Sequence, residues 1–108
     1  MSNHDFAAQR AATIETYRAL SEDGLPDIAD VDYFFVPESD AANWDAAVAA
    51  LHDEGYDCSE VEDEDGVYLA ATLQDHVISA EGIWFGEEVA TRIALRHGFT
   101  PDGWGFEG

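Results

Sequence analysis

Acidic side chains set the strongest constraint on how this chain folds. The sequence has 24 Asp and Glu residues against four Arg and no Lys, so its formal net charge is −20. A folded chain of this mass exposes roughly 6,000 Å², or one net negative charge on about every 300 Å². Three Trp, four Tyr and six Phe still supply material for a core. The sequence therefore predicts one folded domain rather than an acidic disordered chain.

The charge also limits the possible partners. Nucleic acids and anionic membranes attract Lys and Arg, so this surface would be repelled by both. A basic protein would be drawn in by the field of the whole molecule. The first residues lack a basic region followed by an apolar stretch, and Cys58 has no second cysteine to pair with. We therefore expect a cytoplasmic protein with a basic protein partner, no direct contact with nucleic acid and no membrane association.

Hydrophobic periodicity divides the chain into alternating helices and strands. Asp65-Gly66 is the clearest hairpin signal, and Ser39 reads as the N-cap of the second helix. The predicted helices span Asp5 to Leu20, Asp40 to Glu54 and Ser79 to His97, and the predicted strands span Val31 to Val36, Tyr56 to Glu62, Val67 to Leu73 and Phe99 to Gly108.

This order predicts an α+β fold. We expect a ferredoxin-like βαββαβ sandwich, with a four-stranded antiparallel sheet and two helices on one face, preceded by an N-terminal helix. We expect the chain to consist of an N-terminal helix in residues 1–25 and an α+β domain in residues 26–108, which together form one structural unit. Where the N-terminal helix packs is left open between a sheet edge and the second sheet face.

No pattern points to a metal, a cofactor or catalysis. A calcium-binding loop placed on Asp65-Gly66 would need an acid at position 61 and a Glu at position 72, where the chain has Val61 and Thr72. The four His are scattered, and Cys58 lies in an acidic strand that disfavours its thiolate. Phe34 and Tyr68 would lie on the open sheet face, as in RNA-recognition modules, but the basic residues those modules use are missing.

Three short segments carry a family resemblance: Leu20-Ser21-Glu22-Asp23-Gly24, Glu54-Gly55-Tyr56 and Asp102-Gly103-Trp104-Gly105. Over roughly residues 10 to 107, the chain resembles the regulator of ribonuclease E activity B family, the ribonuclease E inhibitors. The resemblance implies a small, acidic, cytoplasmic α+β protein. It also implies inhibition of an RNA-degrading endonuclease by protein–protein contact, with a basic, Arg-rich regulatory region as the target.

The resulting hypothesis is a non-catalytic regulator that binds an Arg-rich or Lys-rich segment of a ribonuclease and alters RNA turnover. The expected partner-binding residues are the hairpin acids, supported by two residues near the C-terminus: Glu60, Glu62, Asp63, Glu64 and Asp65, with Asp102 and Trp104. Trp104 has a second interpretation, as a core anchor in an edge strand.

Two alternatives remain at this point. The chain could be an immunity-type inhibitor whose acids plug the basic cleft of a nuclease toxin. It could also be a domain whose acidity serves mainly solubility or adaptation to a salty cytoplasm.

Overall fold

Helices and strands alternate through the part of the chain that the computed structural model describes, which is residues 4–107. These residues form three helices and four strands, in the order α1 (Phe6–Ser21), β1 (Ile28–Pro37), α2 (Trp44–Asp53), β2 (Asp57–Asp63), β3 (Gly66–Val77), α3 (Ala80–Arg96) and β4 (Phe99–Glu107). The first and last helices begin one residue after the predicted starts, because Asp5 and Ser79 are their N-caps. Asp5 accepts a hydrogen bond from the amide of Ala8, and Ser79 accepts one from the amide of Gly82.

The four strands form one sheet in the order β2-β3-β1-β4. Each neighbouring pair is antiparallel, and Tyr33 of β1 lies opposite Ala71 of β3 on one side and Trp104 of β4 on the other. The predicted α+β class, the antiparallel four-stranded sheet and the preceding helix are confirmed. The ferredoxin-like assignment and the boundary between residues 25 and 26 stay predictions.

The core lies between one face of the sheet and the helices. Val31, Tyr33 and Phe35 alternate along β1 and are almost fully buried, as expected for a strand with one covered face. The Tyr33 hydroxyl donates to the carbonyl of Ile83 at 2.9 Å, and the Tyr56 hydroxyl donates to the carbonyl of Gly86 at 2.6 Å. Two buried hydrogen bonds therefore fix the height of α3 above the sheet.

The N-terminal helix α1 packs against α3, so it extends the helical layer at its outer side. Its contact is unusually polar, since Thr13 is its one buried residue. The Gln9 amide donates to the Thr91 hydroxyl at 3.0 Å, and the Thr13 hydroxyl donates to the Glu87 carboxylate. These hydrogen bonds hold α1 in place together with Tyr17, which is partly buried against the core.

The predicted start of α2 at Asp40 is wrong. The helix begins at Trp44, and its cap is Asn43, whose side chain accepts from the amide of Ala46. Ser39 instead accepts from the amide of Ala41 in a separate turn. The cause is tertiary, because the amide of Asn43 bonds to the carbonyl of His97 at 2.9 Å and ties this segment to the end of α3.

Two central strands are longer than the sequence predicts. Strand β1 begins at Ile28, and β3 continues to Val77, with these two residues paired. A bulge in β3 places Gln74 and Asp75 opposite the single residue Asp30 of β1. Asp75 has a positive φ of 51° and donates its amide to the Asp30 carboxylate at 3.0 Å. Polar residues in this extension conceal the strand pattern.

Candidate functional site

The hairpin β2–β3 divides its acidic residues between the two faces of the sheet. Strand β2 is an edge strand, with Glu60 opposite Leu69 and Val61 opposite Tyr68. Paired residues in antiparallel strands share a face. Glu60 and Glu62 therefore lie on the helix side, whereas Asp57 and Asp63 lie on the open side, and all four are exposed. Carboxylates project from both faces of this edge.

A concave surface, here called the hairpin cleft, lies at the tip of the hairpin. Its cavity volume is about 380 Å³, and it is lined by Val36, Pro37, Asp63, Asp65, Gly66, Val67, Tyr68 and Asp102. The Asp63 carboxylate accepts the amide of Asp65 at 2.8 Å, which fixes the turn. Three carboxylates from two distant parts of the sequence thus surround one opening.

Asp102 reaches the hairpin cleft because β4 bulges there. Tyr33 pairs with Trp104 and Phe35 pairs with Pro101, so Asp102 and Gly103 together face the single residue between them on β1. Gly103 has a φ of +107°, a conformation that favours glycine.

The other predicted site residues lie elsewhere. Glu60 and Glu62 are on the opposite face, and Glu64 is exposed at the turn without lining the cleft. Trp104 shares a face with the buried Tyr33, on the helix side of β4. The structure therefore brings together Asp63, Asp65 and Asp102 and separates the remaining four.

A second concavity, here called the α1 groove, lies between α1 and β4. Its cavity volume is about 520 Å³. Ala8, Ala12 and Thr16, spaced four residues apart, form the wall on α1, and Pro101, Gly103 and Trp104 form the wall on β4. The remaining lining residues are His4, Asp5, Gln9, Thr13 and Glu87. Trp104 is half-buried there.

Glu87 is the most perturbed acid of the α1 groove. It is 2% exposed, and burial raises the pKa of its carboxyl above the usual range, although hydrogen bonds from Thr13 and Gln9 and the charge of His4 oppose the rise. The Gln9 side chain also bonds to the His4 ring at 2.6 Å. A buried carboxyl is thus positioned by side chains from α1.

Sequence reasoning did not single out Glu87, Thr13 or Gln9. A signal was present, since Ile83, Glu87 and Thr91 recur every four residues and are all buried in α3. An acid in the middle of such a stripe indicates a special environment.

Phe34 and Tyr68 do meet on the open face of the sheet, with ring centroids 5.7 Å apart and an edge-on geometry. Asp32 lies on the same face and accepts a hydrogen bond from the Thr72 hydroxyl. The aromatic pair therefore sits beside a carboxylate, whereas RNA-recognition surfaces surround their aromatics with basic residues.

Cys58 is half-buried, and burial, followed by the charge of Asp57, raises the pKa of its thiol. Within residues 4–107, no group of three or more His, Cys, Asp or Glu side chains is arranged to hold a metal ion. None of the helices in this part of the chain has both the length and the apolar character needed to cross a bilayer.

Fold, charge and concave surfaces together define a small acidic α+β domain with two openings lined by carboxylates. Comparison with protein-family models matches RraB, regulator of ribonuclease activity B, over residues 10–106. The chain belongs to this family, which confirms the resemblance carried by the three short segments. A search of curated proteins found no match. Family membership supports a role as a regulator of ribonuclease activity.

Proposed function

We propose that this protein is a non-catalytic regulator that binds a basic segment of a ribonuclease E-type endonuclease and lowers its activity. The main support for this proposal is that the chain matches the RraB family over residues 10–106. The net charge of −20 adds a physical reason, since an Arg-rich or Lys-rich segment is the complementary partner. We further propose that the protein acts in the cytoplasm and contacts the enzyme rather than its RNA.

The hairpin cleft is the proposed contact surface. Asp63, Asp65 and Asp102 surround its opening, and Tyr68 supplies an aromatic side chain beside them. A cationic side chain in this opening would face carboxylates from two sides, and the Tyr68 ring would cover its aliphatic part. Glu60, Glu62 and Glu64 are assigned a weaker role, as exposed charges that steer the partner during approach.

The test compares two triple variants of equal net charge. The cleft variant carries Asp63→Asn, Asp65→Asn and Asp102→Asn. The control variant carries Glu15→Gln, Asp23→Asn and Asp53→Asn, at exposed positions outside both concavities. The Asp63→Asn substitution keeps a side-chain oxygen that can accept the turn hydrogen bond. Binding of the purified endonuclease would be followed by surface plasmon resonance at 50 mM and 500 mM NaCl, alongside cleavage of an RNA substrate.

Both variants should associate more slowly than wild type, because both lose the same long-range charge. Only the cleft variant should also dissociate faster, with an overall loss of affinity of about tenfold or more, and only it should lose inhibition. Equal dissociation rates would exclude the cleft and leave the regulator role intact. A wild-type protein that neither binds nor inhibits the endonuclease would refute the role itself.

The two alternative functions predict different results in the same binding assay. An immunity-type inhibitor would hold a basic nuclease toxin at 500 mM NaCl, because a plugged cleft relies on buried contacts that salt does not screen. A domain whose acidity serves only solubility would bind neither protein. A mobility shift of single-stranded RNA at low salt would contradict the proposal that RNA is not contacted.

We also propose that the domain is a ferredoxin-like sandwich. In support, read from the other edge the strand order is β4-β1-β3-β2. The pairings also make β1 parallel to β2 and β3 parallel to β4, each pair joined through a helix. An experimental structure with a left-handed connection in either unit would contradict this assignment.

A further inference from the structure

The α1 groove is separate from the hairpin cleft, since the two share no lining residue. It is also the larger of the two, and its walls combine alanines and a tryptophan with a few polar groups. Concave surfaces of this composition are common binding sites in proteins. The charge and shape of its lining residues determine which ligands the groove accepts.

The titratable groups that line the groove are Glu87, Asp5 and His4, and the charge of His4 favours the ionised form of Glu87. Its carboxyl is almost fully buried, lines the cavity and accepts the Thr13 hydroxyl. Asp5 adds a second, exposed carboxylate at the rim. The chain's four Arg do not line the groove. Arg92, one of the two Arg on the same helix, is engaged elsewhere, with Glu88 at 3.1 Å and over the Phe6 ring at 4.4 Å.

Burial disfavours the charged form of Glu87 and raises the pKa of its carboxyl, even though the Thr13 and Gln9 hydrogen bonds and the charge of His4 act in the opposite direction. A cation placed in the groove would offset this cost, because opposite charge favours the ionised carboxylate. The site therefore complements a cationic group better than a neutral or anionic one.

Trp104 restricts the choice among cations. It lines the wall across from α1 and stacks on Phe106, with ring centroids 6.3 Å apart and planes at 23°. A cavity lined by both an indole and a carboxyl suits a guanidinium, which stacks on aromatic faces, is weakly hydrated and pairs with a carboxylate through two parallel N–H groups. A lysine ammonium is more strongly hydrated and lacks this planar fit.

We propose that the α1 groove is a receptor for an arginine side chain of a protein partner, with the guanidinium held between the Glu87 carboxylate and the Trp104 indole. This inference deepens the proposed function, because it assigns one contact of the basic partner. A second copy of this chain is a poor occupant, since two molecules of charge −20 repel each other.

The test uses three synthetic peptides and no ribonuclease. Each is a capped Gly-Ser heptapeptide with one central residue, which is arginine, lysine or the neutral arginine analogue citrulline. NMR titration in 100 mM NaCl would follow the Trp104 indole N–H and the Gly103 and Ala12 amides. The arginine peptide should shift these signals saturably, the lysine peptide should bind at least fivefold more weakly, and the citrulline peptide should not saturate. Equal binding of the arginine and citrulline peptides would overturn the proposal.

Substitutions in the α1 groove test whether the arginine peptide binds there. Glu87→Gln should weaken the arginine peptide at least tenfold. Because a buried substitution can alter packing, a second test is Ala12→Arg, which places a competing guanidinium on the exposed wall of the groove and should abolish binding. Ala11→Arg is its matched control, because position 11 is exposed on the same helix but does not line the groove. If the two arginine variants bind the peptide equally, the groove is not the receptor.

The hairpin cleft variant separates this inference from the proposed function. It should bind the arginine peptide as wild type does while losing the endonuclease. Peptide binding that survives in Ala12→Arg but disappears in the cleft variant would refute the groove and support the cleft. Failure of wild type to bind the endonuclease, with intact peptide binding in the groove, would refute the proposed function alone.

Discussion

Gly86 lies where α3 crosses closest to the sheet. A methyl group at this position would overlap the Tyr33 hydroxyl and approach Leu73 Cδ1 to 3.0 Å. Tyr33 cannot move away freely, because it is fully buried and its hydroxyl is bonded to the Ile83 carbonyl. At this one position, the absence of a side chain sets the separation between helix and sheet.

Gly86→Ala should therefore lower the free energy of unfolding by about 1–3 kcal/mol, since overpacking outweighs the gain of about 1 kcal/mol in helix propensity. Urea unfolding measures this effect. The control is the double variant with Tyr33→Phe, which removes the overlapping oxygen and should recover part of the loss. Strict additivity of the two substitutions would contradict the steric explanation.

Glu87 gives the folded state a pH dependence of known sign. Burial raises the pKa of its carboxyl above the ordinary value of 4.5. The folded protein therefore holds this proton more tightly than the unfolded chain does. The contribution of the bound proton to the free energy of unfolding is lost as the pH rises from about 4.5 through the folded pKa.

Glu87→Gln should be more stable than wild type at pH 7, because the variant does not bury a charge. The difference between the two proteins should shrink as the pH falls and vanish near pH 4, since most other carboxyls titrate equally in both. Urea unfolding at several pH values measures the difference. A constant difference between pH 4 and pH 7 would show that packing, not ionisation, is responsible.

At the scale of elements, α1 is the helix with the fewest buried residues. Its one buried residue is Thr13, and its polar contacts with α3 are the Gln9–Thr91 and Thr13–Glu87 hydrogen bonds. By contrast, α3 buries residues along most of its length, including Ile83, Ala90 and Ala94. Local opening should therefore begin at α1.

Hydrogen exchange should show α1 amides exchanging well before those of α3. Thr13→Ala should accelerate exchange across α1 roughly tenfold, because a hydrogen bond to a carboxyl contributes about 1–3 kcal/mol, and it should leave α3 unchanged. Ala11→Ser, at an exposed position on the same helix, is the control. Uniform acceleration in both helices would mean that α1 opens only with the whole domain.

The elements themselves were largely predictable from local pattern, and their ends were not. Asp5 and Ser79, the predicted first residues of two helices, are the N-caps of those helices. Ser39 does not, because contacts with the end of α3 shift the start of α2 to Asn43. The same limit applies to α3, where the packing of α1 buries Glu87 and Thr91 on a side that periodicity alone left unassigned.

The candidate site was predictable only in part. The acidic hairpin was evident from composition and from Asp65-Gly66, but which acids share a surface depends on strand register. Register places Glu60 and Asp63 on opposite faces, and a bulge in β4 brings Asp102 beside Asp65. The α1 groove depends on how a helix packs, which no short segment encodes.

At the scale of the whole molecule, charge is poorly compensated. The chain exposes 6570 Å², and among residues 4–107 the structure shows a single Arg–carboxylate ion pair, between Arg92 and Glu88. Most of the net charge of −20 therefore acts as mutual repulsion across the surface.

The melting temperature should rise by on the order of 5 °C between 20 mM and 500 mM NaCl, because the Debye length falls well below 10 Å. Calorimetry at neutral pH measures this rise. The cleft variant, with three fewer charges, should show a smaller dependence on salt. A melting temperature that is flat or falls over this range would mean that local ion pairs outweigh the general repulsion.

The acids on both faces of β2 also affect how this exposed edge meets other chains. An unpaired edge strand normally invites a neighbouring copy to continue the sheet, which is a common route to fibrils. A copy that paired its own β2 with this edge would bring the Glu60 and Asp63 carboxylates of the two molecules close together, across a strand spacing of about 4.8 Å. The domain therefore resists self-templated growth even at high concentration, while the same backbone edge stays open to an extended segment of opposite charge.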